Sequence, residues 1–412
     1  MSTEPTGEAS NTTLLKWLTC LMFLMFAMTS DAVGSVIPKV IEEFHLSMKA
    51  AGTFHYVPMA AIALGAILLG FMADRLGRKL TVVIGLALYG VGSLLFAFGN
   101  SFGFFVVLLG ISGVGISVFK TGALALIGDI SKSTREHTSL MNTVEGFFGV
   151  GSIIGPAIVA ALLVAGMSWK WLYVVAAGVC ALLLFTALLV KYPDSRRTGD
   201  EPASLARTLA MMKNPYAAGF SLLIALYVGA EVAIYVWMPT YLESYRLQAP
   251  LLTAYALTAF FVLRAAGRFL GAWLLNHYSW NRVLACFGVA IFVCFAGSLA
   301  GGAAAGVYLL PLSGLFMSMM YPTLNSKCIS CFEKSQHGAV AGVTLFFTAA
   351  AAAAGPLAMA ALSDASGSAS SGFVLATFFT LLLAAGLIYN WLRDPAAARL
   401  AQRDQSEYHT AT

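Results

Sequence analysis

Charge is scarce in this chain. Of its 412 residues only 10% are Asp, Glu, Lys or Arg, whereas 59% are hydrophobic; a soluble globular domain carries about 25% charge. So little charge, with a mean hydropathy of +0.81, excludes a water-soluble body of this length. Histidine and cysteine are sparse as well, six of each. Cys20, Cys180, Cys286, Cys294, Cys328 and Cys331 fall in or beside apolar stretches, and the close pair Cys328-x-x-Cys331 has no second pair near it. The spacing alone could suggest a metal or redox pair, but without a second pair a structural role is expected and no metal. The pattern Gly-x-x-x-x-Gly-Lys-Ser/Thr is missing, which removes the usual phosphate-cradling loop. Glycine-rich runs such as Gly113-Val-Gly115 and Gly149-Val-Gly151 lie inside apolar stretches, where close helix packing accounts for them. No grouping of residues points to hydrolysis or redox chemistry, so neither an enzyme nor a cofactor is expected. The first thirteen residues are polar and carry two acids without a cationic start, so no cleaved signal peptide is expected.

What the chain has in abundance is long apolar runs. Twelve stretches, from 14–37 to 372–392, suit a bilayer, since a helix crosses ~30 Å of hydrocarbon with about 20 residues. The pattern predicts an all-α membrane protein of twelve transmembrane helices. Seventeen cations fall on the face that would hold both termini and four on the other, with Lys120, Arg264 and Arg268 inside spans. This bias predicts a multi-pass protein of the inner or plasma membrane with both termini cytoplasmic. The net charge of +5 is then a matter of topology and gives no reason to expect nucleic acid as a partner. The expected environment is the lipid bilayer, and the expected state a monomer.

The chain also repeats itself. Gly155-Pro156-x-x-x-Ala160-Ala161-Leu162 recurs 200 residues later as Gly355-Pro356-x-x-x-Ala360-Ala361-Leu362. Pro38-x-x-x-Glu42 after the first span is matched by Pro239-x-x-x-Glu243 after the seventh, with Asp31 and Glu231 seven and eight residues upstream of those prolines. The repeat predicts two pseudo-symmetric six-helix bundles, 14–192 and 214–392. They are flanked by a polar N-terminus (1–13), a cytoplasmic linker (193–213) and a cytoplasmic tail (393–412). A substrate site between two such halves, near the bilayer midplane, is a known transporter plan.

Five ionisable residues lie deep within the apolar runs: Asp31, Lys120, Glu145, Glu231 and Arg264. A charge in a span is costly unless it faces a partner or a cavity, so such residues mark a transport pathway by default. Glu231 is the repeat's counterpart of Asp31, and Arg264 is its possible partner or a ligand for an anionic substrate. Arg268, one turn further on, is expected to serve helix packing or a gate. Lys120 and Glu145 lie at similar depth in adjacent antiparallel spans, so they are expected either to pair with each other or, for Lys120, to bind substrate.

The loop between spans two and three reads Gly70-Phe-Met-Ala-Asp74-Arg75-Leu-Gly77-Arg78-Lys79. It resembles the hallmark Gly-x-x-x-Asp-Arg-x-Gly-Arg-Lys of the major facilitator superfamily. The resemblance implies that fold and a cytoplasmic gate built from Gly70, Asp74, Arg75, Gly77 and Arg78. Gly267-Arg268-Phe269-Leu-Gly271 and Gly314-Leu-Phe316-Met-Ser318-Met-Met-Tyr321-Pro322-Thr323 resemble the fucose and hexose proton symporter branch, as does Asp31 ahead of Ile37-Pro38. That likeness implies a proton-coupling role for Asp31; Glu231, its counterpart in the repeat, and Glu145 are expected as further acids on the proton path. At Lys120 the chain departs from the branch, which places a glutamate there.

Side chains suited to a sugar or small polar substrate are Asn142, Tyr227, Trp237, Tyr321 and Asn325, beside Lys120 and Arg264; His55, Tyr56 and Tyr235 are eligible too. The expected function is proton-coupled uptake of a monosaccharide by alternating access. A carrier of a small organic anion such as a sugar acid is the first alternative, raised by Lys120 and Arg264. A drug-type proton antiporter is the second, raised by Gly151-x-x-x-Gly155-Pro156.

Overall fold

The computed structural model describes residues 6–46, 48–193, 204–242, 245, 247–366 and 370–408. Among them the chain is helix and loop. In order the helices are α1 (Thr6–Ser30), α2 (Val33–Phe44), α3 (Met48–Ala51), α4 (Thr53–Leu69), α5 (Met72–Arg75), α6 (Arg78–Leu94), α7 (Phe102–Asp129), α8 (Thr134–Val164) and α9 (Trp171–Leu189). They continue as α10 (Leu205–Met211), α11 (Pro215–Leu242), α12 (Pro250–His277), α13 (Trp280–Met317), α14 (Met320–Ser330), α15 (His337–Ser366), α16 (Ser370–Arg393) and α17 (Ala397–Arg403).

Eleven helical stretches among the described residues are long and apolar enough to cross a membrane, and one of them, Trp280–Ser330, runs to 51 residues. At about 1.5 Å per residue that is roughly twice the hydrocarbon thickness. It does not run straight. Gly302 has φ 63° and ψ −161°, a conformation that only glycine adopts without strain. A Cβ on Gly297 would lie 2.9 Å from Leu309 Cδ1, although twelve residues of straight helix would separate these positions by about 18 Å. The stretch is therefore a hairpin of two spans, which makes twelve crossings.

Two further spans are broken at places that hydropathy does not register. The first span stops at Ser30 and resumes at Val33, so Asp31 sits in the break rather than one to two turns inside a continuous helix. Ser and Asp side chains compete with the helix backbone for hydrogen bonds, and here Ser30 Oγ donates to Asp31 Oδ1 at 3.1 Å. The tenth span breaks between Met317 and Met320, which leaves the Ser318 carbonyl open to a side-chain donor.

The two bundles are built alike. α1 packs on α8 as α11 packs on α15, and α6 packs on α9 as the first half of α13 packs on α16. The repeated glycines explain the first of these pairings. Gly155 lies against the Met28 carbonyl of α1, and its counterpart Gly355 has Gly229 Cα of α11 only 3.4 Å from where a Cβ would stand. Small residues let helices approach where lipid gives no hydrophobic drive between them. Between the bundles, α8 packs on α12 and α4 on α15, pairings that the pseudo-symmetry exchanges. Large apolar side chains such as Leu182, Phe185, Leu189, Val293 and Phe378 are exposed on the outer surface, as hydrocarbon solvent requires.

The expected linker falls partly outside the described residues, at 194–203; beyond it α10 packs on α15 and α4. The expected tail folds back as α17 and a further turn to Tyr408. Asp404 accepts hydrogen bonds from Thr134 N at 2.8 Å and Thr134 Oγ1 at 2.9 Å, at the start of α8 in the other bundle. Lys16 reaches the same corner, 2.7 Å from Glu136.

Candidate functional site

Six ionisable side chains from five elements meet between the bundles. Asp31, Glu145 from α8, and Arg264 and Arg268 from α12 lie within electrostatic reach of Lys120 from α7, and Glu231 from α11 joins them through its contact with Arg264. Arg264 Nε is 2.5 Å from Glu231 Oε1, an ionic contact whose N–H is not aligned for a hydrogen bond. The Tyr227 hydroxyl donates to the same oxygen. Both charges are buried, and each would cost several kcal/mol without the other.

Glu145 pairs with Arg268, not with Lys120. Arg268 Nη1 donates to the Glu145 carbonyl oxygen at 2.6 Å and Nη2 lies 3.5 Å from Oε2, while Nε donates at 3.4 Å to the Ser318 carbonyl exposed by the break before α14. One guanidinium thus ties the two bundles together and also closes a helix end, a use of its forked donors that lysine could not reproduce. Oε1 of Glu145 is buried without a partner.

Lys120 has no carboxylate within ion-pair distance among the described residues. Its ammonium lies over the faces of Phe148, at 4.5 Å from the centroid, and Phe23, at 5.4 Å. Ring faces attract a cation and offset part of its desolvation without neutralising it. Asp31 likewise has no cation in contact among the described residues. It accepts from Ser152 Oγ at 2.5 Å and from Ser30, and remains partly exposed.

On one face, which carries the 70–79 loop, the bundles are shut. Asp74 and Arg78 are 3% and 1% exposed. Asp74 accepts from Gly338 N at 2.9 Å and Ala339 N at 2.8 Å, at the N-terminus of α15, and from Arg78 Nη1 at 2.7 Å. A carboxylate at a helix N-terminus meets both free amides and the positive end of the dipole. Arg78 also donates to Asp129 at 2.8 Å within its own bundle, and crosses the interface to the Lys334 carbonyl at 2.5 Å. Gly77 precedes α6 with φ 85° and ψ 162°, so that position needs glycine. Gly70 meets Gly342 of α15, with a Cβ on it 3.0 Å from the Gly342 Cα. Arg75 is exposed, without an ion pair among the described residues. Above this layer Asn142 Nδ2 donates to Thr323 at 3.1 Å, Thr138 meets Ser326 at 2.9 Å, and His137 Nδ1 meets Ser330 at 2.6 Å.

The sequence-derived ligands divide accordingly. Asn142, Tyr227, Tyr321 and Asn325 are buried, and all but Tyr321 are held by protein partners closer than 3.2 Å: Asn142 by Thr138 and Thr323, Tyr227 by Glu231, Asn325 by Thr344 at 2.8 Å. Tyr321 lies beside Asn325, whose Nδ2 is 3.5 Å from its hydroxyl. The side chain of Trp237 lies outside the described residues. Sequence reasoning passed over Asp129, Ser152 and Asp404, and assigned Arg268 too small a part. A carboxylate closing the fourth span at Asp129 is the one signal among these that the sequence offered.

Two like bundles, a layer of buried charge between them and one closed face define a secondary transporter's architecture. Residues 19–356 match the Major Facilitator Superfamily, and the chain belongs to that family of transporters. It is 24% identical over 346 residues to the L-fucose-proton symporter of Escherichia coli, covering 75% of this chain and 78% of that one. It is 26% identical over 303 residues to the gallate transporter of Pseudomonas putida, covering 65% and 66%. The solved structure of the transporter FucP in its outward conformation superposes with a TM-score of 0.73 at 20% identity, covering 92% of this chain and 99% of that one.

Proposed function

We propose that this transporter takes up a monosaccharide together with protons, by alternating access around the charge layer between its bundles. The observation that carries the proton coupling is Asp31: a carboxylate in a helix break, with no cation in contact, held by the Ser152 and Ser30 hydroxyls. Hydroxyl partners serve either protonation state, because a hydroxyl both donates and accepts. Glu231, by contrast, is engaged by the Arg264 guanidinium and the Tyr227 hydroxyl. In this reading Glu145, with one free oxygen, is a second acid on the path, and Glu231 with Arg264 is a fixed element.

The closed face is cytoplasmic in this reading, as the distribution of cations supports. The sugar class is supported by the likeness to the fucose symporter. The organic-anion reading is favoured by one observation, the unpaired Lys120. Drug-type antiport is supported by a 26% likeness over 242 residues to the multidrug transporter MdtP of Bacillus subtilis; Gly151 and Gly155 add nothing to it, because they are taken up by the approach of α8 to α1.

The test is uptake into proteoliposomes under an imposed pH gradient, with hexoses, 6-deoxyhexoses and sugar acids in parallel. Accumulation should follow the gradient, and Asp31→Asn should abolish accumulation while retaining exchange of substrate across the membrane. Full proton-driven accumulation by Asp31→Asn would sink the coupling role.

A further inference from the structure

We infer that the substrate of this site carries a single carboxylate, that Lys120 is the group that binds it, and that a sugar acid or a monocarboxylate of similar size is therefore carried with one proton without net charge. This rests on the symport reading above and narrows it.

The argument begins with who is paired to whom. Of three cations in the layer, Arg264 is held by Glu231 and Arg268 by Glu145. Lys120 is held by aromatic faces alone. Phe148 and Phe23 fix the ammonium in place and leave its charge unspent, and the residue is only partly buried. A fully satisfied layer would have Lys120 against one of the carboxylates that lie within its electrostatic reach. Instead, the acid left over is Asp31, which is turned to hydroxyls.

Charge balance then separates the states. Counted as three cations (Lys120, Arg264, Arg268) and three carboxylates (Asp31, Glu145, Glu231), the empty layer carries no net charge. A proton alone, on whichever acid takes it, leaves one positive charge; a monoanion alone leaves one negative charge. Proton and monoanion together restore neutrality. A net charge in a membrane interior is costly, so the bundles rock over the layer readily when it is empty or doubly loaded and poorly when it is singly loaded. That is the condition for tight coupling. A neutral sugar with a proton would leave the loaded layer positive, and Lys120 would lack any counter-charge at the moment of crossing.

The experiment uses the full-length protein in liposomes, with D-glucuronate and D-galactonate as acids and D-glucose and L-fucose as neutral probes. Uptake is measured under a pH gradient with and without an interior-negative potential set by potassium and valinomycin. The inference requires accumulation of at least one acid, at a rate that the potential leaves unchanged. It also requires Lys120→Gln to weaken that uptake on the order of tenfold to a hundredfold in apparent affinity, the worth of one charge-assisted contact, with Lys120→Arg retaining most of it. Proton-driven uptake of neutral sugars but of neither acid overturns the inference and leaves the symport reading standing. So does acid uptake that the potential accelerates or that Lys120→Gln leaves intact. Absence of proton-driven uptake for all four probes overturns the symport reading, and the inference with it. Because the potential test is made on the unmodified protein, misfolding of a variant does not obscure the outcome.

Discussion

Replacing Asp74 by Asn should unlatch the closed face, and the size of the effect follows from its bonds. Asp74 makes three charge-assisted contacts, of which only those to Gly338 N and Ala339 N cross between the bundles; the bond to Arg78 stays within one bundle. Opening therefore breaks two. A hydrogen bond to a charged group is worth about 1.5–3 kcal/mol net. Asparagine is nearly isosteric, keeps one acceptor oxygen and turns an N–H against the other amide, so it forfeits one bond and weakens its neighbour. The closed state should lose about 2–4 kcal/mol, roughly 30- to 900-fold in the ratio of closed to open. Other interbundle contacts, among them Arg78 to the Lys334 carbonyl, Arg268 to Glu145, Asn142 to Thr323 and Thr138 to Ser326, remain and keep a closed fraction in place. Lys132 and Asn276 are exposed on facing bundles, next to the bond from Arg135 to the Asn276 carbonyl. Spin labels at these two positions, with the exposed native Cys286 replaced by serine, report their separation by pulsed electron resonance. The unmodified latch should give one short distance and Asp74→Asn a second, longer population. An unchanged distribution would refute the assignment of Asp74 as a latch between bundles.

Other outcomes follow from the same geometry. Glu231→Gln leaves the buried Arg264 without its counter-charge and should cost about 3–5 kcal/mol, seen as a lower thermal midpoint in detergent; adding Arg264→Met should recover most of the loss. Arg268→Lys keeps the charge but cannot serve the Glu145 and Ser318 carbonyls together, so uptake per folded molecule should fall by about tenfold, one to two such bonds. Gly155→Leu drives a side chain into the Met28 carbonyl and should abolish a monodisperse peak in size-exclusion chromatography. Gly178→Ala, with open space around it, should leave that peak unaltered.

Much of the fold was legible because the signals are local. Apolar length marks a span wherever it stands, and the cations around the 70–79 loop carry their meaning in ten consecutive residues. The partnership of Glu231 with Arg264 was also foreseeable, since a buried arginine demands a carboxylate and the repeat had already singled out Glu231. Glu145 was harder. Its partner is 123 residues away, and the choice between Lys120 and Arg268 depends on which way α7 and α12 are rotated about their axes. Depth along a helix can be counted from sequence, but rotation is set by packing of the whole bundle. The break at Asp31 was hidden for a different reason: hydropathy averages over a window and cannot register two residues that leave the helix. Asp404 escaped notice because a tail acid acquires meaning only from the helix start it happens to reach.

The hairpin at Gly302 bears on how the chain is made. Every residue from Val283 to Ser326 is uncharged, so during synthesis the insertion machinery meets two spans with no polar signal between them. Their orientation must be decided by Arg282 before the pair and Lys327 after it, both held on the same face. A strong helix former in place of Gly302 would therefore do more than strain one turn. It would favour a single long helix threaded once through the bilayer, inverting every span that follows and separating the Asp74 latch from the α15 amides it needs.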